Sequence, residues 1–215
     1  MQGLAPGIIQ FSGRVYATLD PLRHSAGVTV VGALIGQGEN GGGGVGISAT
    51  GKSSGKWYWE TLCNKVFPTT YGKIGITTVF MAINGTTPPG LGGGGASNAG
   101  TVGYEGITGI GISYNFAGTR QTTTNGAGNI VDGDILSTAL DMDALTVSFY
   151  RNGTLSFTLP IPAGTWYPAF QGNNSSPVTE VVFNFGQNAW STNPTVTSTR
   201  NALFAAPNNY NQGLY

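Results

Sequence analysis

An Asn-Gly step between two alternating apolar runs is the feature that most constrains the fold of this 215-residue chain. Before the step, Leu145, Val147 and Phe149 occupy every second position, and the short apolar run "LSFTL" (155–159) follows it. Alternation with a period of two is typical of a half-buried β-strand. Because Asn-Gly readily adopts the two positive φ angles of a type I′ turn, Asn152 and Gly153 predict a β-hairpin.

Other short stretches carry the same strand character, and none carries a convincing helical stripe. Within residues 55–63, Trp57 and Trp59 fall on one face and Tyr58 and Leu62 on the other, which predicts a central strand covered on both sides. Short strands separated by turn residues predict an all-β fold, an antiparallel two-sheet β-sandwich. The remaining predicted strands lie at residues 28–35, 45–49, 72–80, 107–116, 165–170 and 180–186.

Composition excludes several classes of protein. Nine basic and nine acidic residues give zero formal net charge, so we expect no binding to nucleic acid, which requires clustered positive charge. The chain has no run of about 18 apolar residues, so we expect no membrane span, and its first residues lack the pattern of a signal peptide. Cys63 is the single cysteine and is expected to be a buried free thiol.

Glycine-rich and polar segments divide the chain. Residues 84–100 hold so many glycines and polar residues that we expect an exposed loop. We predict an N-terminal arm over residues 1–18, the β-sandwich over 19–190 and a C-terminal arm over 191–215. The apolar residues near and within the last segment are isolated, and we expect them to anchor the arm: Trp190, Leu203, Phe204 and Tyr210.

Six segments, in this order, resemble the SPRY (B30.2) domain: "LDPLRHSAGVTV" (19–30), "SSGKWYWETL" (53–62), "GIGISYNF" (109–116), "GDILSTALDMDALTVSFYRNGTL" (133–155), "WYPAF" (166–170) and "VVFNFG" (181–186). The resemblance implies a bent two-sheet sandwich, a concanavalin-like jelly roll, without catalytic activity. It also implies that loops at one end of the sandwich contact partners. The neutral, Gly-rich character is more similar to SPRY members of bacteriophage virions than to eukaryotic adaptors.

The resulting functional hypothesis is a non-enzymatic structural protein on the surface of a phage virion. It would be a capsid decoration or head-fibre protein, or a tail-associated one. Its partners would be copies of itself, as a trimer, and other virion proteins, with no cofactor or metal. The alternative is a receptor- or glycan-binding module of a tail fibre. A hydrolase that uses the carboxylates ranks last.

Two aspartate pairs are the first candidates for chemistry. Asp132 with Asp134, and Asp141 with Asp143, are two residues apart, so each pair could bind calcium or share a proton. Aspartate is also common where its side chain bonds the backbone of its own turn. Turn formation is the favoured interpretation, ahead of an adventitious metal and ahead of catalysis.

The other candidate groups favour structural roles. His24 is the single histidine and has neither a second imidazole for zinc nor a Gly-x-Ser-x-Gly elbow for a catalytic triad. The glycine tracts at 41–44 and 90–95 lack the following Gly-Lys-Ser/Thr of a phosphate-binding loop. We expect contacts with a partner or ligand from residues predicted to lie in loops: Tyr104, Phe116, Arg120, Asn173 and Asn174.

Overall fold

A computed structural model describes residues 9–11, 14–25, 27–38, 44–65, 72–78, 90–93, 99–105, 111–124, 130–172, 179–186 and 210–212. Within them the regular structure is entirely β. The strands are β1 Ile9–Phe11, β2 Arg14–Tyr16, β3 Leu19–His24, β4 Val28–Val31, β5 Ile35–Gly38, β6 Val45–Ser48, β7 Lys56–Lys65, β8 Lys73–Thr77 and β9 Thr101–Glu105. They continue with β10 Ile112–Asn115, β11 Gln121–Thr123, β12 Ile135–Asp141, β13 Thr146–Arg151, β14 Thr154–Pro160, β15 Tyr167–Gln171, β16 Thr179–Asn184 and β17 Asn211–Gln212.

The strands form two sheets and one separate hairpin. Sheet I has the order β11-β10-β9-β8-β15-β6-β3, and sheet II has the order β14-β13-β12-β7-β16-β5-β4. Neighbours along both orders are antiparallel, whereas β17 joins sheet II as a parallel partner of β7. Strands β1 and β2 pair only with each other among the described strands. The predicted antiparallel two-sheet sandwich is confirmed.

The core fills the space between the sheets. Trp59 and Phe149 of sheet II, with Trp166 and Phe170 from the β15 region of sheet I, are fully buried in one cluster. Burial of such rings dominates the hydrophobic stabilisation of a sandwich. Of the two tryptophans on one face of β7, Trp59 is fully buried, whereas Trp57, near the start of the strand, is only half-buried.

Strand β7 lies in the middle of sheet II, as its two apolar faces predicted. Strand β12 pairs along one side of β7, and β16 pairs along the other. Trp59 faces the main core, while Leu62 lies in a second buried cluster with Ile135 and Val182. A strand buried on both faces requires apolar residues at consecutive positions, which explains the unusual sequence of this segment.

The Asn-Gly hairpin is confirmed. Asn152 and Gly153 have φ angles of 49° and 82°, and they join β13 to β14. The prediction of one strand over residues 28–35 is wrong, because Gly32 and Ala33, with φ angles of 59° and 72°, form a second tight hairpin between β4 and β5. Alanine rarely adopts a positive φ, so this turn could not be predicted from its residue types.

Glycine allows sheet II and β6 to approach the Phe170 ring. A Cβ atom on Gly36 would lie 2.1 Å from Phe170 Cζ, and one on Gly46 would lie 2.3 Å from Phe170 Cε1. Both distances are far shorter than any van der Waals contact, so a side chain at either position would displace the ring.

Part of the segment predicted to be an exposed loop is buried. Leu91 is fully buried in a small cluster with Val45, Ile47 and Ala169. The amide of the adjacent Gly92 donates to Thr101 Oγ1 at 2.8 Å. The prediction is therefore wrong for residues 90–93, where one leucine among the glycines fixes the segment against the outer face of sheet I.

The two predicted arms are described only in part. Within residues 1–18, β1 and β2 form their hairpin, and Ala17 and Thr18 are buried. Within residues 191–215, only 210–212 are described, and they lie against β7. The described residues contain no helix long and apolar enough to cross a bilayer.

Candidate functional site

The first aspartate pair closes the turn before β12. Asp134 Oδ2 accepts the Val131 amide at 2.8 Å and lies 2.7 Å from Arg151 Nη2. Its Oδ1 accepts from Asn152 Nδ2 at 2.8 Å, and Asn152 Oδ1 accepts the Ile135 amide at 2.9 Å. The carboxylate therefore links the hairpin turn of β13–β14 to the start of β12.

The second pair closes the turn after β12. Asp141 Oδ1 accepts the amides of Asp143 and Ala144 at 3.1 and 2.9 Å. Its Oδ2 lies 2.9 Å from Lys56 Nζ, and Asp143 Oδ1 accepts the Gly55 amide at 3.0 Å. Although burial raises the pKa of Asp141, the Lys56 hydrogen bond and the two amides lower it below its ordinary value. The preferred interpretation as turn residues is confirmed for Asp134 and Asp141, whose side chains accept backbone amides of their own turns.

A buried charge cluster lies on the outer face of sheet I. Glu105 Oε1 is 2.8 Å from Lys73 Nζ and 2.7 Å from Arg120 Nη2. Lys73 Nζ also donates to the Leu91 carbonyl at 2.8 Å and contacts Ser113 Oγ at 3.3 Å. Lys73 and Glu105 are almost fully buried, whereas the Arg120 side chain is 39% exposed. One carboxylate thus balances two cations, which leaves one net positive charge.

Burial and pairing act in opposite directions on the pKa values in this cluster. Burial raises the pKa of Glu105, but the attraction and hydrogen bond of Lys73, with Ser113 and Arg120, outweigh it and lower the pKa. For Lys73, burial is the larger effect and lowers the pKa, although Glu105 opposes the change. Because its pKa is lowered, Glu105 is ionised at neutral pH and can attract both neighbouring cations.

An open cleft lies at the β10–β11 edge of the sandwich. It has a volume of about 360 Å³ and is lined by Tyr114, Phe116, Ala117, Thr119 and Gln121. The rings of Tyr114 and Phe116 are 5.2 Å apart, and the Tyr114 hydroxyl lies 3.4 Å from Gln121 Oε1. No lining residue is charged. Aromatic walls with a few polar groups are typical of small binding sites.

Packing from behind holds the aromatic wall of the cleft in position. The Phe116 ring meets the buried Trp166 ring edge to face at 6.1 Å, and Tyr114 and Phe116 both pack against the main core. Trp166 Nε1 in turn donates to the Pro162 carbonyl at 3.0 Å. The cleft is therefore formed in the isolated chain.

The residues predicted to contact a partner fall in different environments. Phe116 lies in a loop and lines the cleft, and Arg120 lies in the same loop but pairs with Glu105. The loop placement of Tyr104 is wrong, because this residue lies in β9 and packs against Phe149 in the core with 1% exposure. Because side chains alternate along a strand, Tyr104 faces the core when Glu105 faces outward. This could be predicted only if the bounds of β9 were known. Asn173 and Asn174 lie outside the described residues.

Tyr210 is the one predicted arm anchor that the structure describes. Its hydroxyl lies 3.4 Å from Asp141 Oδ2, and its ring centroid lies 5.8 Å from Lys56 Nζ. In this single chain the tyrosine contacts its own sandwich. Trp190, Leu203 and Phe204 lie outside the described residues.

The backbone after Tyr210 extends this contact. Asn211 and Gln212 pair with Trp57 and Tyr58 of β7. Strand β12 occupies one side of β7, so β17 lies on the other side, beyond the point where β16 ends opposite Glu60.

The remaining candidates show no clustering for chemistry. His24 Nδ1 lies 3.2 Å from the Ser25 carbonyl. Residues 41–43 and 94–95 of the glycine tracts lie outside the described part of the chain. Within the described part, no three metal-ligating side chains lie together.

Comparison with solved structures identifies the fold. The chain is similar to the SPRY domain of human HERC1, with a TM-score of 0.59 and 24% identity over 77% of this chain and 96% of that domain. It is also similar to the TRIM65 PSpry domain, with a TM-score of 0.56 and 13% identity over 79% of this chain and 89% of that one. Neither the family models nor the curated proteins give a match to the sequence. The fold is therefore SPRY-like.

Proposed function

We propose that this chain is a non-catalytic recognition module that belongs to a larger assembly and binds its partner at the β10–β11 cleft. The observation that carries the proposal is the cleft itself, whose aromatic wall is preformed by packing against Trp166. Aromatic side chains are enriched at recognition surfaces because they bury a large area at low entropic cost. The volume of about 360 Å³ suits one or two side chains or a sugar unit.

The roles of the carboxylates support the non-catalytic part of the proposal. Asp134 and Asp141 each accept several hydrogen bonds from turn groups, and Glu105 is held by two cations. A carboxylate that acts in catalysis needs a pKa near the working pH and access to substrate. The pKa values of Asp141 and Glu105 are lowered instead. Asp141→Asn tests the hydrolase hypothesis, which predicts loss of an activity without loss of folding.

A binding experiment with a blocked cleft tests the proposal. The full chain is screened against a random-peptide display library and a glycan array, in parallel with Ala117→Arg. Ala117 is exposed and lines the cleft, so the arginine fills the site without removing a core side chain. Leu155→Arg, at an exposed apolar residue on β14 of the other sheet, is the matched control.

We expect at least one binder that Leu155→Arg retains and Ala117→Arg loses. Binding only by ligands that are indifferent to Ala117→Arg would contradict the proposal. A glycan among the binders lost in Ala117→Arg would favour the alternative function, a receptor- or glycan-binding module of a tail fibre.

A second candidate function is self-assembly through the C-terminal segment, for which the docking of β17 is the specific support. A segment that adds to β7 by backbone pairing in one chain uses a mode of contact that also joins separate chains. On this proposal the protein is a trimer whose contacts weaken in Tyr210→Ser. Light scattering over a range of concentrations measures the mass, and a monomer at all concentrations would refute it.

The proposed location is the surface of a phage virion, as decoration, head-fibre or tail-associated protein. Its support is the sequence resemblance together with the zero net charge and low charged fraction of 8%, which suit a protein packed among others. Mass spectrometry of purified particles tests this location. Absence of the protein from intact particles would contradict it.

A further inference from the structure

We infer that the cleft is one half of a peptide-binding site whose other half is the edge strand β11, so that a partner segment binds in extended form by strand addition. The inference rests on the recognition function proposed above and names its partner class. Strand β11 is the outermost strand of sheet I, and β10 alone pairs with it among the described strands. An edge strand presents a row of backbone donors and acceptors to any chain laid beside it.

Three other sheet edges carry features that oppose such pairing. Strand β3 contains Asp20, Pro21 and Arg23 and has an irregular register with β6. Strand β14 ends in Pro160 and pairs with β13 through a register shift. Strand β4 packs against β3 of the other sheet. Charges, proline, bulges and covering elements are the usual protections of an edge.

Within the described residues, β11 carries no charge, proline, register shift or covering element, and its length of three residues limits an added strand to a few main-chain hydrogen bonds. Gln121, Thr122 and Thr123 carry no charge, the first two are exposed, and the register with β10 is continuous over all three. The cleft lies at the start of this strand, since Gln121 belongs to both. Of the four sheet edges in the described part of the chain, the one without charge, proline, register shift or cover therefore adjoins the aromatic cleft.

The alternation of side chains defines the chemistry of the partner. Gln121 pairs with Tyr114 and lines the cleft, whereas the preceding residue, Arg120, reaches Glu105 on the outer face of sheet I. In a strand added beside β11, one side chain would face the cleft and its sequence neighbour would face Arg120. The charge cluster carries one net positive charge, and the guanidinium is 39% exposed.

The partner is thus an extended, uninterrupted polypeptide segment in which an aromatic or aliphatic residue stands next to an acidic one. The apolar side chain enters the cleft and packs against its aromatic wall of Tyr114 and Phe116. The carboxylate completes the pairing of Arg120, which shares Glu105 with Lys73. Main-chain hydrogen bonds supply affinity, and these two side chains supply selectivity.

Backbone methylation of a selected peptide tests the inference. A peptide obtained from the random library on the full chain is synthesised with N-methyl groups on alternate amides, in two sets. We expect one set to weaken binding at least tenfold and the other less than twofold, because only alternate amides of an added strand face β11. Fluorescence anisotropy measures the dissociation constants.

Variants of the full chain separate the contributions. Ala117→Arg is expected to weaken binding of the peptide at least tenfold, and Leu155→Arg is expected to leave its dissociation constant unchanged. Peptides with the acidic residue are expected to bind the wild type more tightly than peptides with the corresponding amide, and Arg120→Gln is expected to abolish this difference. The apolar residue of the peptide should still contribute to its affinity for this variant. Thermal unfolding of each variant checks that the fold is retained.

The outcomes distinguish this inference from the proposed function. Strand addition would be overturned if both methylated sets bound equally well, or if no peptide could be selected. It would also be overturned if a glycan were the sole ligand lost in Ala117→Arg. If any of these results still included a ligand whose binding is lost in Ala117→Arg, the proposed recognition function would remain supported. Binding that ignores Ala117→Arg would overturn both.

Discussion

Replacing Lys73 by Met tests how the buried charge cluster is balanced. The lysine ammonium lies 2.8 Å from Glu105 Oε1 and is 6% exposed, so its removal leaves a buried carboxylate with one partner fewer. Breaking a buried ion pair in this way costs about 3–5 kcal/mol. Because Arg120 keeps its 2.7 Å contact, we expect a loss of about 2–3 kcal/mol in the free energy of unfolding.

The compensating change is Glu105→Gln in the Lys73→Met background. Met and Gln resemble Lys and Glu in size, and neither position carries a buried charge in the double variant. Replacing both members of a buried pair is often nearly neutral, so we expect the double variant within about 1 kcal/mol of the wild type. The two substitutions are therefore expected to be strongly non-additive.

The pH dependence follows from the pKa of Glu105, which is lowered in the folded chain. The stabilisation from a lowered pKa is complete above the ordinary carboxyl value of about 4.3 and is lost as the pH falls through the folded pKa. Without Lys73, the attraction that lowers the pKa of Glu105 is reduced while burial still raises it, so the pKa of Glu105 rises. We therefore expect the penalty of Lys73→Met to be largest at pH 7 and smaller at pH 4.5.

Urea denaturation followed by tryptophan fluorescence measures these differences at both pH values. Lys65→Met, at an exposed lysine in β7, is the control and should change stability by less than about 0.5 kcal/mol. The reasoning would be refuted by a penalty no larger than that of the control, or by a double variant no more stable than Lys73→Met.

Three further predictions concern single sites. Gly36→Ala forces a methyl group into the Phe170 ring and should cost about 1–3 kcal/mol by urea denaturation. In Gly32→Ala the added methyl group has free space and only the positive φ is unfavourable, so the loss of stability should be smaller, about 1 kcal/mol. Equal losses of stability in the two variants would contradict the packing argument. The pKa of Tyr210 is raised to about 12 by burial and a nearby carboxylate, so the stability from its contact is complete below pH 10 and lost as the pH rises through about 12. Ultraviolet titration against Tyr210→Phe checks this value, and ionisation near pH 10 would show that the contact is absent. Burial raises the pKa of Cys63 well above its ordinary value, so the thiol should react with a disulfide reagent at pH 8 only after denaturation, and rapid reaction of the folded chain would be inconsistent with its position.

Local sequence rules predicted the parts of the fold in which local preference and tertiary packing agree. The hairpin at Asn152–Gly153 follows from backbone preference alone, and the central position of β7 follows from its two apolar faces. The Gly32–Ala33 hairpin could not be predicted, because alanine accepts its positive φ only under the constraint of the paired strands. The burial of Leu91 likewise depends on a surface that other segments build.

The candidate site shows the same division. The loop after β10 and its residue Phe116 could be predicted from turn chemistry and residue type. The burial of Tyr104 depends on which face of β9 meets the core, and the sequence did not indicate that β9 begins at Thr101. The pairing of Arg120 with Glu105 joins the loop between β10 and β11 to the end of β9, and it requires the register of β9 with β10.

The position of β7 has a consequence for folding during synthesis. This strand leaves the ribosome before each of its partners β12, β16 and β17, and Asn211 pairs with Trp57 across more than 150 residues of sequence. Contacts this distant in sequence form slowly, because a long loop must close before they are gained. Until then, a segment with two apolar faces remains uncovered and is prone to aggregation or chaperone capture. The yield of native protein should therefore depend more on translation rate and chaperone supply than on the stability of the finished sandwich.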